Sequence, residues 1–171
     1  WISAQASLGL GRLAEFEGQP EQSRRHFVEA ETIYQALGDR FFVNVARSER
    51  AHTERRQGNL ETAGNLYRDC LPVWVELGQR AAVTHELESL GYIAIARGQL
   101  TRAARLLGAA QVMRETIGIQ MQPAEQVEYE AEVAALKKAL DRATLEAAWS
   151  AGQKMTSAQA IACALDEGDC L

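Results

Sequence analysis

Residues that build reactive or metal-binding sites are scarce in this 171-residue chain. It has three histidines far apart in sequence, and three cysteines that form no Cys-x-x-Cys pair. It contains neither a Gly-x-x-x-x-Gly-Lys-Ser/Thr phosphate loop nor a Gly-x-Ser-x-Gly nucleophile motif. We therefore expect no enzymatic activity, no cofactor and no metal site. Cys70, Cys163 and Cys170 are expected to be free cytosolic thiols.

Long apolar runs and an excess of basic residues are also missing. No apolar run reaches the roughly 18 residues of a membrane span, and no signal-peptide pattern is present, so a cytoplasmic protein without membrane contact is expected. Residues 1–120 carry 14 acids and 14 arginines, whereas residues 121–171 carry 9 acids and 4 bases, which gives the net charge of -5. This distribution argues against direct nucleic-acid binding by the segment.

The chain instead contains a 40-residue repeat marked by glycines that recur in phase: Gly18, Gly58 and Gly98, then Gly38, Gly78 and Gly118. Between the glycines, apolar residues follow helical spacing, as at Leu87, Leu90, Gly91 and Ala94. A glycine at the end of each half-repeat indicates two helices per repeat. Because only about 2 residues join them, these helices must run antiparallel.

The predicted fold is all-α, with three helix pairs in residues 1–40, 41–80 and 81–120 stacked as a right-handed solenoid. Pro72 is expected to kink the second helix of the second pair. Residues 121–171 do not continue the period and are expected to form a helical cap with a frayed acidic end from Asp166. The cap helices are predicted near residues 125–140 and 144–151, the latter stopped by Gly152, and after a Thr156–Gln159 capping box.

The repeats resemble the tetratricopeptide family. Its first helix has Leu-Gly midway and a small residue near the end, a glycine closes that helix, and small, aromatic and small positions follow along the second helix. The third repeat matches with Leu90, Gly91, Ala94, Gly98, Ala103, Leu107 and Ala110. The first matches with Leu10, Gly11, Ala14, Gly18, Ser23, Phe27 and Ala30. The second keeps Ala51, Gly58, Ala63, Tyr67 and Cys70 but places Arg47, Arg50 and Glu54 where apolar residues are expected.

Residues 102–166 resemble the C-terminal end of bacterial LuxR-type transcriptional regulators, through RAARLLGAAQVMRETIG, PAEQVEYE and AAWSAGQKMTSAQAIACAL. The resemblance implies a fragment of a longer chain, one that binds a partner or inducer and passes the event to other domains of the same chain. The first residues already fit the repeat without an initiator Met, as expected of such a fragment. Two alternatives stay open: a regulatory appendage of a nucleotide cyclase or kinase, or a free-standing peptide-binding scaffold.

A partner protein, a peptide or a small-molecule inducer is expected on the concave face, where first helices of successive repeats lie side by side. The candidate groove residues are Arg12, His52, Arg55, Arg56, His85, Glu88 and Tyr92. Arginines beside an aromatic ring are typical of peptide or anion binding. The alternative is that these charges neutralise one another, through Glu15–Arg55 and His52–Glu88 pairs.

Polar residues elsewhere also allow two interpretations. Arg50 and Glu54 are spaced to pair along one helix, and the polar seam they form with Arg47 is either a loosened repeat or a functional slot. The acidic stripe Glu125, Glu128 and Glu132 is a solvated face or a contact for a basic surface. Cys163, Asp166, Glu167, Asp169 and Cys170 form an acidic tail rather than a metal site. The last helices lack the cations of a DNA-recognition helix.

Overall fold

The structure, a computed structural model, describes residues 1–166, and every regular element in that range is an α-helix. These helices are α1 (Ile2–Phe16), α2 (Pro20–Ala36), α3 (Arg40–Arg56), α4 (Leu60–Glu76), α5 (Arg80–Ala96), α6 (Leu100–Ile117), α7 (Pro123–Ala139), α8 (Arg142–Gln153) and α9 (Ser157–Leu165). The expectation of an all-α chain is confirmed over this range. Apart from Asp166, the predicted frayed end lies outside the described residues.

Glycines with positive φ follow each of the first six helices. Their φ angles lie between 67° and 78°, at Gly18, Gly38, Gly58, Gly78, Gly98 and Gly118. Glycine has no Cβ and enters this left-handed region without steric cost, so it ends a helix and turns the chain back. The helix ends predicted from the glycine spacing are confirmed, and α2 to α6 begin 20 residues apart.

The chain divides into two compact units, and the first is Trp1–Gly78. Within it α1 packs on α2, α2 on α3 and α3 on α4. One apolar core cluster of this unit consists of Ala4, Leu8, Phe27, Ala30, Tyr34 and Ala46. The α1–α2 contact is close because Gly11 faces Phe27, where an added Cβ would lie 2.5 Å from a ring carbon. A small residue on one helix thus admits a large one from the next.

The second unit begins at Gln79. Its centre is α6, which packs on α5 and α8, with α9 and α7 making smaller contacts. The predicted apolar face of α5 is buried, at Leu87, Leu90, Gly91 and Ala94. Gly91 faces Leu107, and a Cβ there would lie 3.0 Å from a Leu107 methyl carbon. This contact repeats the one between Gly11 and Phe27 after 80 residues.

The three C-terminal helices depart from prediction in one place. The Thr156–Gln159 capping box begins α9, as expected, and α7 begins at Pro123. The prediction that Gly152 stops α8 is wrong, because the helix continues to Gln153 and Gly152 instead lies against the backbone of Arg105. Within α7, Val127 is 69% exposed, and the packed stripe consists of Tyr129, Val133 and Leu136.

Three further expectations concern Pro72, the cysteines and membrane contact. Helix α4 continues through Pro72 to Glu76, and the kink stays a prediction. Cys70 is a buried thiol that forms no disulfide. Cys163 is disulfide-bonded, so the expectation of a free thiol is wrong at that position. Among the described helices, none combines the length and apolar character needed to cross a membrane.

Candidate binding surfaces

The first-unit residues of the predicted groove gather around the carboxylate of Glu15. Its Oε1 lies 3.5 Å from Nε2 of His52 and 3.7 Å from Nη1 of Arg56. Arg55 is 8% exposed, and its Nη2 lies 3.3 Å from Nδ1 of His52. Because a guanidinium only donates, Nδ1 accepts and the ring proton belongs on Nε2, facing Glu15. Burial raises the pKa of Glu15, with a further rise from Glu49, against lowering by Arg56, Thr53 and Arg55.

Arg12 lies at the exposed edge of this cluster, where its guanidinium pairs with Glu49 at 2.5 Å. The two more exposed arginines are Arg12 on α1 and Arg56 on α3. Each therefore lies beside an acidic residue of the other helix, Arg12 beside Glu49 and Arg56 beside Glu15. This arrangement is the kind that the charge-neutralising interpretation requires, although its pairs differ from those expected: Glu15 contacts His52 and Arg56, and Glu88 pairs with Arg114. The groove assignment itself stays a prediction.

The polar seam of the second repeat is closed by ion pairs between α2 and α3. Glu31 accepts from Arg47 at 2.6 Å and from Arg50 at 2.9 Å. Glu54 accepts from two nitrogens of Arg24, at 2.5 and 3.1 Å, and from Asn59 at 2.7 Å. The hydrogen bond from Arg24 is the main reason that the pKa of Glu54 is lowered. Arg50 and Glu54 thus bond across to α2, in place of the expected bond to each other.

The second-unit residues of the predicted groove are more deeply placed. Glu88 is 4% exposed and accepts a hydrogen bond from Arg114, and burial raises its pKa despite that partner. Tyr92 is 7% exposed and belongs to the core around Leu107. His85 lines a cavity of about 260 Å³ that also borders Arg114 and Glu125. His85 thus borders an open cavity, whereas Glu88 and Tyr92 are buried side chains.

A larger cavity, which the sequence did not indicate, lies between α6, α7 and α8. It is open to solvent and has a volume of about 470 Å³. Its apolar wall consists of Tyr129, Val133, Leu145 and Trp149, with Gln111, Lys137, Glu146, Ser150 and Gln153 as its polar lining. The side-chain oxygen of Gln111 accepts from Trp149 Nε1 at 2.8 Å and from Gln153 Nε2 at 3.2 Å. The floor of this cavity is therefore fixed by hydrogen bonds that hold the Trp149 ring in place.

A second cavity of about 490 Å³ shares Gln111 and Tyr129 with the first and extends past Arg114 and Gln126. Tyr129 thus lies between the two spaces. Burial raises the pKa of its phenol, and the carboxylate of Glu88 raises it further. The only signal for this site in the sequence is the stripe of Tyr129, Val133 and Leu136 at helical spacing on α7.

Helix α7 covers both cavities with little buried surface of its own. Leu136 is its one fully buried side chain, although the helix has 17 residues. A helix held by so few buried contacts opens locally at low free-energy cost. Movement of α7 would change the volume of both cavities.

Metal-binding groupings are not found among residues 1–166, where no set of three or more His, Cys, Asp or Glu side chains is arranged to hold an ion. Glu167, Asp169 and Cys170, considered above as ligands, lie outside the described residues. Comparison of the chain with protein-family models, curated proteins and solved structures finds no match. Function must therefore be argued from the two units themselves.

Proposed function

We propose that this chain is a non-catalytic sensing module of a multidomain bacterial transcriptional regulator, and that it binds a small molecule in the cavity between α6, α7 and α8. In this proposal the three helix pairs stack as a right-handed tetratricopeptide-like solenoid, and α7 to α9 form its cap. Bound ligand would be signalled to other domains of the full-length chain through the position of α7.

The observation that carries the proposal is the cavity itself. Its volume of about 470 Å³ lies within the range of roughly 300–1,000 Å³ typical of small-molecule sites. Its lining is mainly apolar and aromatic, with a few polar groups at fixed positions, which is the usual composition of such sites. The hydrogen bond from Trp149 to Gln111 orients the largest ring in the wall before any ligand arrives.

The weak attachment of α7 supports a sensing role. A ligand against Tyr129 and Val133 would add buried apolar surface to a helix that has little of it. Ligand binding would therefore stabilise the packed position of α7 described here, and a ligand that binds this position more tightly would stabilise it more. The partner that reads this change is proposed to contact the exposed groove residues of the first unit, Arg12 and Arg56.

The experiment compares two valines on α7 that differ in position. Val133 lines the cavity and Val127 faces solvent. The substitution Val133→Thr keeps the side-chain shape but places a hydroxyl in the apolar wall. Burying this hydroxyl under a ligand costs about 1–3 kcal/mol of binding free energy if it finds no hydrogen-bond partner. Val127→Thr is the matched control, because the same change occurs on the same helix.

The probe is anilinonaphthalene sulfonate, an apolar dye with an anionic group, and the readout is the emission of Trp149 with Trp1 and Trp74 replaced by Phe. We expect Val133→Thr to weaken dye binding by roughly tenfold, which corresponds to about 1.4 kcal/mol, and Val127→Thr to leave it unchanged. Native mass spectrometry of the purified chain would look for a co-purified small molecule. Equal dye affinities in the two variants, with no molecule retained, would refute the cavity as a binding site.

A further inference from the structure

The amide of Gln111, at the floor of the cavity between α6, α7 and α8, is already engaged by protein groups. Its oxygen accepts from Trp149 and Gln153, and its nitrogen donates to Glu115 at 2.9 Å. An amide oxygen has two lone pairs, so this oxygen has no acceptor capacity left for a ligand. Because the indole N–H of Trp149 is donated to Gln111, Trp149 offers a ligand its ring face alone.

The acid in the lining, Glu146, also has a partner. Its Oε1 accepts from Arg142 Nε at 2.6 Å, and the two residues lie one turn apart on α8. A cationic ligand would therefore compete with an arginine of the same helix for this carboxylate. The charge of Glu146 is balanced before any ligand arrives, so the lining does not favour a cation.

Two polar side chains of the lining, Lys137 and Ser150, are available to a ligand. Within residues 1–166, neither forms an ion pair or a side-chain hydrogen bond. Lys137 follows Val133 by one turn of α7, and it lines the cavity while remaining exposed to solvent. An ammonium group and a hydroxyl both donate hydrogen bonds, and the ammonium group carries a positive charge. The polar part of a fitting ligand is therefore an anionic acceptor.

The apolar wall indicates the rest of the ligand. It carries two aromatic rings, Tyr129 on α7 and Trp149 on α8, together with Val133 and Leu145. A flat ring in the ligand gains ring–ring attraction beyond its buried area. It also has fewer rotatable bonds to immobilise than an alkyl chain of similar size. An aromatic body is therefore favoured over a flexible one.

We propose that the ligand of this cavity is an aromatic carboxylic acid. Its ring packs among Tyr129, Val133 and Trp149, and its carboxylate accepts hydrogen bonds from Lys137 Nζ and Ser150 Oγ. Such charge-assisted hydrogen bonds are stronger than those between neutral groups. This inference rests on the proposed function, since it names the ligand class of the same site.

The test compares two probes that differ in charge but hardly in shape, naphthoate and its neutral amide naphthamide. Binding of each to the whole 171-residue chain is measured by isothermal titration calorimetry. The variant Lys137→Met removes the charge and keeps an unbranched apolar side chain, and Lys137→Arg keeps the charge. The matched control is Lys138→Met, because Lys138 is the next residue on α7, is also exposed and does not line the cavity.

We expect naphthoate to bind the unmodified chain more tightly than naphthamide. Lys137→Met should weaken naphthoate binding by roughly fivefold, the upper range for an exposed ion pair, and leave naphthamide binding unchanged. Lys137→Arg should retain most of the naphthoate affinity, and Lys138→Met should retain all of it. Added salt should weaken naphthoate binding and not naphthamide binding, because salt screens an exposed ion pair.

Two results would overturn the carboxylate assignment. One is that naphthoate does not bind, or binds no more tightly than naphthamide. The other is that Lys137→Met and Lys138→Met have the same effect on naphthoate. The cavity proposal is tested separately by Val133→Thr: if this variant weakens both probes equally and the probes bind alike, the cavity is a binding site and the ligand is not an acid.

Discussion

Helices α6 and α8 cross closely in the second unit, and the crossing depends on two glycines. A Cβ on Gly108 would overlap the carbonyl oxygen of Trp149, and a Cβ on Gly152 would overlap the carbonyl oxygen of Arg105. Both obstructing atoms belong to the backbone, so no side-chain rotation relieves the overlap. The substitution Gly108→Ala must push the two helices apart.

The expected cost of Gly108→Ala combines three effects. Alanine is favoured over glycine by about 0.8–1 kcal/mol inside a helix, which alone would stabilise the variant. An extra methyl group in a packed site typically costs about 1–3 kcal/mol. Separation of the helices also stretches the 2.8 Å hydrogen bond from Trp149 to Gln111, a further loss of about 0.5–1.5 kcal/mol. We therefore expect a net destabilisation of about 0.5–3.7 kcal/mol.

The assay is urea unfolding followed by the emission of Trp149, the tryptophan of the second unit, with Trp1 and Trp74 replaced by Phe. This local probe is needed because two compact units need not unfold in one transition. Gly9→Ala is the control, since its methyl group points into open space and should stabilise α1 by roughly 0.5–1 kcal/mol, as seen by circular dichroism. If Gly108→Ala unfolds at the same or a higher urea concentration than the unsubstituted chain, the close crossing is not required.

Three further predictions concern buried polar groups. Arg102→Met should expose the amides of α9 to faster hydrogen exchange, because Arg102 donates to the carbonyl oxygens of residues 163, 164 and 166 and such charged hydrogen bonds contribute about 1.5–3 kcal/mol. Burial raises the pKa of Glu88, so the unsubstituted chain loses stability as pH rises from 4.5 through the folded-state pKa. Glu88→Gln should remove this loss. Urea titrations of the variant above pH 4.5 should therefore show a flatter dependence of unfolding free energy on pH. Glu54→Gln should behave oppositely. The pKa of Glu54 is lowered, so its contribution to folding stability is present above pH 4.5 and is lost as pH falls. The variant should therefore lose about 1–2 kcal/mol of unfolding free energy at pH 7 but little in acid.

The helix ends could be predicted from the sequence because they depend on local backbone conformation. A glycine with positive φ ends a helix regardless of what packs around it, and Gly18 and Gly118 do so at opposite ends of the repeat region. The capping box at Thr156 is local in the same sense, since its partner Gln159 is three residues away. Such features require no knowledge of tertiary contacts.

The polar seam and the cavity could not be predicted, because both depend on helices far apart in sequence. Spacing along α3 suggests a bond between Arg50 and Glu54, but Arg50 finds Glu31 on α2, 19 residues away. Gly152 carries the same ambiguity, since glycine near the end of a helix is read as a stop signal when it can equally admit a neighbouring backbone. In the cavity wall, Trp149 donates a hydrogen bond to Gln111, which is 38 residues away in sequence, and no local sequence pattern predicts that contact.

The two units also show which contacts the repeat holds constant and which it leaves free to vary. Gly11 against Phe27 in the first unit and Gly91 against Leu107 in the second are the same contact 80 residues apart, each within one helix pair. The outer face of the first helix differs between pairs. On α3 it carries Arg47 and Arg50, which form ion pairs with Glu31, whereas on α1 it carries the exposed Leu10 and Leu13. Because each pair is closed by its own small-to-large contact, the outer face of its first helix is free to become charged or apolar without loss of the pair. The apolar character of the exposed face of α1 is therefore not required by the fold of the pair that carries it.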